Sequence, residues 1–168
     1  MVEKLWVIVW CNDKDKLNGL LADSLLKAPQ FGLDEIQWLI VDERAHCTNI
    51  GQAYAIGQDL AEGRIRLYAH QDVMLFDRYF YQKLTVLLKP GSHIGAVGSE
   101  GSTIDTGAPY FMSPRRHMVG RPADDARVFV LQGECAPVKV VDAVLFATTE
   151  QIEWAQCYER QHMAIEDA

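Results

Sequence analysis

The chain has no hydrophobic run long enough to cross a bilayer. Its opening apolar stretch, Leu5–Trp10, is far short of the ~20 residues that a spanning helix needs. Met1-Val2-Glu3-Lys4 precedes that stretch and no small-residue cleavage site follows it, so a secretory signal peptide is not expected either. Cysteine is scarce. Cys11, Cys47, Cys135 and Cys157 are widely spaced and no Cys-x-x-Cys pair occurs, which reads as reduced thiols in a cytoplasmic protein. Basic residues are in deficit: 16 Lys and Arg stand against 23 Asp and Glu, a net charge of −7. The dense basic cluster is Arg115-Arg116-His117 alone, so nucleic acid is not an expected partner. A phosphate-bearing ligand would then need a metal ion or local backbone donors. No glycine-rich dinucleotide fingerprint follows the first apolar stretch, which argues against a nicotinamide enzyme. Internal repeats and low-complexity tracts are also lacking.

What is present is an ordinary globular composition. With 49% hydrophobic residues the chain is not mostly disordered, and 168 residues make a single domain, 1–168. Leu5–Trp10 reads as a buried strand. Asn12 and Asp13 can cap a helix that carries Leu17, Leu20, Leu21 and Leu25 at helical spacing and stops before Pro29 and Gly32. Ile36–Val41 is a second strand, followed directly by Asp42. After the polar stretch Glu43 to Thr48 comes a helix with Ile50, Ala53, Tyr54, Gly57, Leu60 and Ala61 on its apolar face. Ile65–Ala69 is a third strand, ending in His70-Gln71-Asp72. A helix over Asp77 to Leu88 and a strand over Ile94–Val97, closed by Gly98, follow. Residues 99–127 read as a long loop. Val128–Leu131 and Val138–Thr148 read as later strands, and Glu150 to Met163 as a C-terminal helix within a tail, 150–168.

Strand and helix alternate through the first half. That order predicts an α/β fold: a mostly parallel central sheet with helices on both faces. Ligands of such sheets bind at the carboxyl ends of the strands. Asp42, Asp72 and the Gly98–Gly101 turn all fall at those ends. Polar residues also follow strands simply because loops are polar, and that reading stays open for Asp42 taken alone.

The residues Asn49-Ile50-Gly51-Gln52-Ala53-Tyr54-Ala55-Ile56-Gly57, then Ala61-Glu62-Gly63, then Leu67-Tyr68-Ala69-His70-Gln71-Asp72-Val73 resemble the glycosyltransferase-like family (family 2-like). The likeness is to its streptomycin-biosynthesis-protein-type branch, where a helix with an Ala-Tyr-Asn-x-Gly core precedes a strand ending in His-Gln-Asp-Val. Ile94-Gly95-Ala96-Val97-Gly98 and Val141-Asp142-Ala143-Val144-Leu145-Phe146-Ala147-Thr148 resemble two later segments. The resemblance implies a GT-A fold, a nucleotide-diphospho-sugar transferase domain. It implies sugar transfer from a nucleotide-sugar, such as a UDP-sugar, with Mn²⁺ or Mg²⁺. A departing nucleoside diphosphate concentrates negative charge, and a hard ion held by carboxylate oxygen neutralises it.

In that resemblance Asp72 matches the metal-binding position. His70 stands where GT-A enzymes commonly have the first carboxylate of an Asp-x-Asp. It is either a nitrogen ligand, which favours Mn²⁺, or a hydrogen-bonded histidine under the sheet edge. Asp42 matches the position that holds the base or ribose, its alternatives being a helix cap or an ion pair with Arg44. Gln52, near the start of its helix, is a second nucleotide-facing candidate. Gly98, Glu100, Gly101 and Asp142 are the candidate sugar-pocket loop.

Three features depart from the family pattern. Ala55 replaces the Asn of the helix core, and Ala143 replaces the Gly of Val-Asp-Gly. The chain also reaches Ala168 with no segment matching the family's downstream His-x-Tyr-Asp-x-Asp, a shortened C-terminus by that measure. The general base that sugar transfer needs is therefore unassigned, with Glu100, Asp105, Asp124 and Asp142 as the available acids or a side chain from another copy in a homo-oligomer as its source. The alternative function is a non-catalytic nucleotide-sugar-binding, partner or regulatory protein of the same fold. His46, Cys47, Cys11 and His70 match no common zinc spacing. Arg115-Arg116-His117 either reaches a diphosphate or is a solvated loop.

Overall fold

Leu5–Cys11 forms β1, the first element of a computed structural model that describes residues 4–27, 36–42, 45, 47, 49–75, 77, 79–92, 94–98, 101–102, 115–116, 118–123, 126–131, 140–141 and 145–154. The helical segment after it has three pieces: α1 (Lys14–Lys16), a π-helical stretch (Leu17–Ala22) and α2 (Asp23–Leu26). Then come β2 (Ile36–Asp42), α3 (Ile50–Leu60), β3 (Arg66–His70), α4 (Phe80–Leu87) and β4 (Ala96–Gly98). The remaining elements are strands: β5 (Gly101–Ser102), β6 (Arg115–Arg116), β7 (Met118–Ala123), β8 (Ala126–Leu131), β9 (Val140–Val141) and β10 (Leu145–Thr148). No helix among the described residues is long and apolar enough to cross a membrane.

The main sheet has the order β2-β1-β3-β10-β4. β2 and β3 both pair with β1 in parallel, and β10 runs antiparallel to β3 and to β4. β4 therefore points the same way as β1, and four of the five strands are parallel. β1 is covered on both faces, which is why it reads as a continuous apolar run rather than an alternating one. Leu5, Val7 and Val9, with Leu67 and Ala69 of β3, pack under Leu17, Leu21 and Leu25 on one side, together with Tyr81, Leu84 and Leu88. On the other side Ile8, Tyr54, Tyr68 and Phe146 form a second core, which Ile50, Ile152 and Trp154 pack against. Helices thus cover both faces, as the alternation of elements predicts.

Local signals explain where the helices begin. Asp13 is extended (φ −139°), and its carboxylate accepts from the Asp15 and Lys16 amides at 3.1 Å, satisfying two open donors of α1. Asn49 is extended (φ −156°) and caps α3 by accepting from the Gln52 amide at 2.9 Å. The buried face of α3 is Ala53, Tyr54, Gly57 and Gln58, whereas Leu60, expected on that face, is 59% exposed. Gln58 lies on the i, i+4 row below Tyr54, and Leu60 lies off it. Gly57 faces β1 so closely that a Cβ there would overlap the Ile8 side chain.

Three further sequence expectations need correction. Within 99–127, residues 101–102, 115–116 and 118–123 are strands rather than loop. β7 pairs with β8 in a two-stranded sheet, where every strand is an edge and Pro122 costs no second ladder. The single strand over Val138–Thr148 is two strands, β9 and β10, in different sheets. The helix expected from Glu150 does not begin there: residues 150–154 are non-helical, and 155–168 lie outside the described residues. Tertiary bonds hold this segment instead. The Gln58 amide donates to the Ile152 carbonyl and accepts from the Ile152 amide, both at 3.0 Å, and Arg66 Nη2 donates to the Thr149 carbonyl at 2.8 Å. Trp154 then sits against Tyr54 and Tyr68, with ring centroids 5.3 and 5.1 Å apart.

Candidate functional site

From β1 the chain moves outward to β2 and then returns to the other side of β1 as β3. The direction of winding reverses between β1 and β3. In open α/β sheets the crevice outside the carboxyl ends at such a reversal is where ligands bind. Register sets what stands there. Asp42 is the Cα partner of Cys11, and His70 is the partner of Trp10. Neighbouring strands lie about 4.8 Å apart, so the backbones of Asp42 and His70, two strands apart, are separated by about 10 Å along the edge. β10 is antiparallel, so its first residue, Leu145, opens at this same edge, and Gly98 closes β4 beside it.

The His70–Val73 turn is held from both sides. Gln71 Oε1 accepts from the Asn12 amide at 2.9 Å and from the Asp13 amide at 2.8 Å. Gln71 Nε2 donates to Asn12 Oδ1. Beyond the turn, Val73 packs against the first core, and the Leu75 amide donates to Ser24 Oγ at 3.0 Å. Asp72, between these anchors, is exposed. Among the described residues its carboxylate has no hydrogen-bond or ion-pair partner. An exposed carboxylate on an anchored turn is a hard oxygen donor open to solvent. Mg²⁺-like ions are commonly held by one or two carboxylates, with water and substrate phosphate completing the shell.

The other sequence candidates divide. Asp42 and His70 are half-buried at their strand ends, and each engages a neighbour. Gln52 is half-buried on the first turn of α3, its backbone amide taken by Asn49. Asn49 Nδ2 is buried there with no partner among the described residues. Gly101 opens β5 and is the register partner of both Arg116 and Val141. β5, the next described element after Gly98, thus pairs with the residue preceding Asp142. Glu100 and Asp142 themselves lie outside the described residues, as do Asp105 and Asp124. Among the described residues no three of His, Cys, Asp and Glu cluster as a metal cage. Cys11 is buried beneath the edge, and desolvation pushes the Cys47 thiol above its ordinary value.

Sequence reasoning missed Gln71 and Asn12. Each was visible as a polar residue just past a strand end, but their contact depends on β1 and β3 being adjacent.

Residues 5–168 match the pattern that defines the glycosyltransferase-like family. No curated protein matches the chain.

Proposed function

The chain belongs to the glycosyltransferase-like family, and from that premise we propose that it transfers a sugar from a nucleotide-sugar donor, held along the β2-β1-β3 edge with a divalent ion, to an acceptor. The observation that carries this reading is the exposed carboxylate of Asp72, without a partner among the described residues, on a turn anchored at the reversal between β1 and β3. The donor set suits Mg²⁺ or Mn²⁺ in the mode that relies on substrate phosphate rather than on a protein cage. When bound, such an ion neutralises the charge that develops on the leaving diphosphate.

The chain's own residues divide the rest of the work. Asp72 would hold the ion. Asp42, about two strand spacings away, accepts a hydrogen bond from the base N–H or a ribose hydroxyl. The amides at the start of α3, near Gln52, favour the donor's negative charge. Gly98, which closes β4 at the same edge, and Gly101, which opens β5, border the sugar.

Calorimetric titration with a panel of nucleoside diphosphates, with and without Mn²⁺, tests this. Mn²⁺-dependent binding that Asp72→Ala removes supports it. Binding indifferent to Mn²⁺ and to Asp72→Ala would refute the metal assignment, and no binding of any nucleotide would refute the donor site.

A further inference from the structure

We propose that Gln71 is a positioning residue of this site: its side-chain amide ties the turn after β1 to the turn after β3 and thereby fixes where Asp72 presents its carboxylate. The inference rests on the donor site proposed above and adds a residue to it.

Three hydrogen bonds carry the argument. A side-chain amide offers one carbonyl and one NH₂. Gln71 spends both on the same two residues, 58 and 59 positions away in the chain. Its carbonyl accepts from the successive amides of Asn12 and Asp13, and its NH₂ donates to the Asn12 side chain. These two amides belong to the segment leaving β1, where among the described residues no sheet partner remains for them. Asp13 is itself locked, because its carboxylate caps α1. Gln71 is therefore fastened to a rigid helix start rather than to a free loop. Asp72 follows it directly, and the Leu75–Ser24 bond fixes the far side of the same turn. The bridge spans the reversal between β1 and β3, the place where open α/β sheets bind ligands. Gln71 bonds Asn12 and Asp13 and not the Asp72 carboxylate, so it acts on the backbone from which that carboxylate projects. Loss of a direct outer contact to a metal ligand typically weakens affinity 10–100-fold, and an anchor one residue removed is expected at the low end of that range.

The test uses Gln71→Met, which keeps the volume and removes all three bonds, against the wild-type chain, with Mn²⁺ and uridine diphosphate as probes. Affinity for the diphosphate in the presence of Mn²⁺ is expected to fall about tenfold, while affinity without Mn²⁺ stays as in wild type. A general loss of structure would lower both, and thermal unfolding of the variant checks that it folds. Amide exchange, read by NMR without any ligand, is expected to quicken at Asn12 and Asp13 in Gln71→Met and to stay unchanged at Val7, Ile8 and Val9. Mn²⁺-dependent binding within twofold of wild type, an equal loss with and without Mn²⁺, or unaltered exchange at Asn12 and Asp13 would each overturn the role of Gln71 and leave the donor site standing. Absence of Mn²⁺-dependent binding by the wild-type chain would overturn both.

Discussion

Replacing Gln58 by Leu removes a buried amide that joins three parts of the fold. Gln58 is 7% exposed on α3. Its Oε1 accepts from the Tyr68 hydroxyl at 2.9 Å and from the Ile152 amide at 3.0 Å, and its Nε2 donates to the Ile152 carbonyl at 3.0 Å. Leu has the right volume but no polar atom, so all three partners lose their bond. At about 1 kcal/mol net per bond the loss is about 3 kcal/mol. For a chain of this size that lowers the unfolding midpoint by about 6–12 °C. Denaturant unfolding gives the free energy, and the fluorescence of the tryptophans, Trp154 among them, reports the segment locally. Tyr68→Phe removes one of the three bonds and should cost about 1 kcal/mol. Its hydroxyl is already stranded in Gln58→Leu, so the double variant should cost about 1 kcal/mol less than the sum of the singles. A loss below about 1 kcal/mol for Gln58→Leu, or strict additivity with Tyr68→Phe, would refute the bridge.

Gly57→Ala should destabilise the chain although Ala favours a helix by up to ~1 kcal/mol: the new Cβ overlaps the Ile8 side chain, and such overpacking costs about 1–3 kcal/mol. Chemical denaturation checks the sign, and a more stable variant would mean that α3 can move off β1 freely. Asp77 offers a pH test. Desolvation raises its pKa, but hydrogen bonds from Lys83 and from the Tyr79 amide, with the charge of Lys83, hold it below the ordinary carboxylate value. A depressed folded pKa means that this stabilisation is present above the unfolded pKa of ~3.9 and is lost as pH falls through the lower folded value. Both partners are well exposed, so the ion pair itself contributes under about 1 kcal/mol. The stability gap between wild type and Asp77→Ala should therefore be small at pH 7 and shrink in acid, as urea unfolding across pH would record.

Much of the fold was legible because its signals are local. The apolar runs at Leu5–Trp10, Ile36–Val41 and Ile65–Ala69 became β1, β2 and β3, and Asp13 and Asn49 cap helices through neighbours two and three residues away. What was not legible depends on contacts between distant residues. Nothing in Leu145–Thr148 gives the direction of a four-residue strand. It runs antiparallel, as registers such as Phe146 to Tyr68 and Ala147 to Val97 define. Residues 150–154 read as helix by composition, yet the Gln58 amide and the aromatic rings of Tyr54 and Tyr68 hold them in another conformation. Propensity is worth tenths of a kcal/mol per residue, and one buried bridge of this kind outweighs it.

The site divides along the same line. Asp42, His70, Asp72 and Gly98 could be put at strand ends from alternation alone, because a parallel sheet puts all such ends on one edge. Which of them are neighbours along that edge follows from strand order, and strand order follows from long-range pairing: only with β3 beside β1 does the turn carrying Asp72 meet the turn carrying Asn12 and Asp13. A carboxylate at a strand end is common, and an exposed one usually does nothing. What distinguishes Asp72 is that both flanks of its turn are anchored, by Gln71 to the segment leaving β1 and by Leu75 to the helix above it, while its own oxygens have no partner among the described residues. Fixing the backbone while leaving the carboxylate open costs ordering entropy without a bond in return from the side chain. The bonds from Gln71 and from the Leu75 amide offset that ordering cost, so the turn presents a solvated carboxylate at a fixed place on the edge, as the proposed ion site requires.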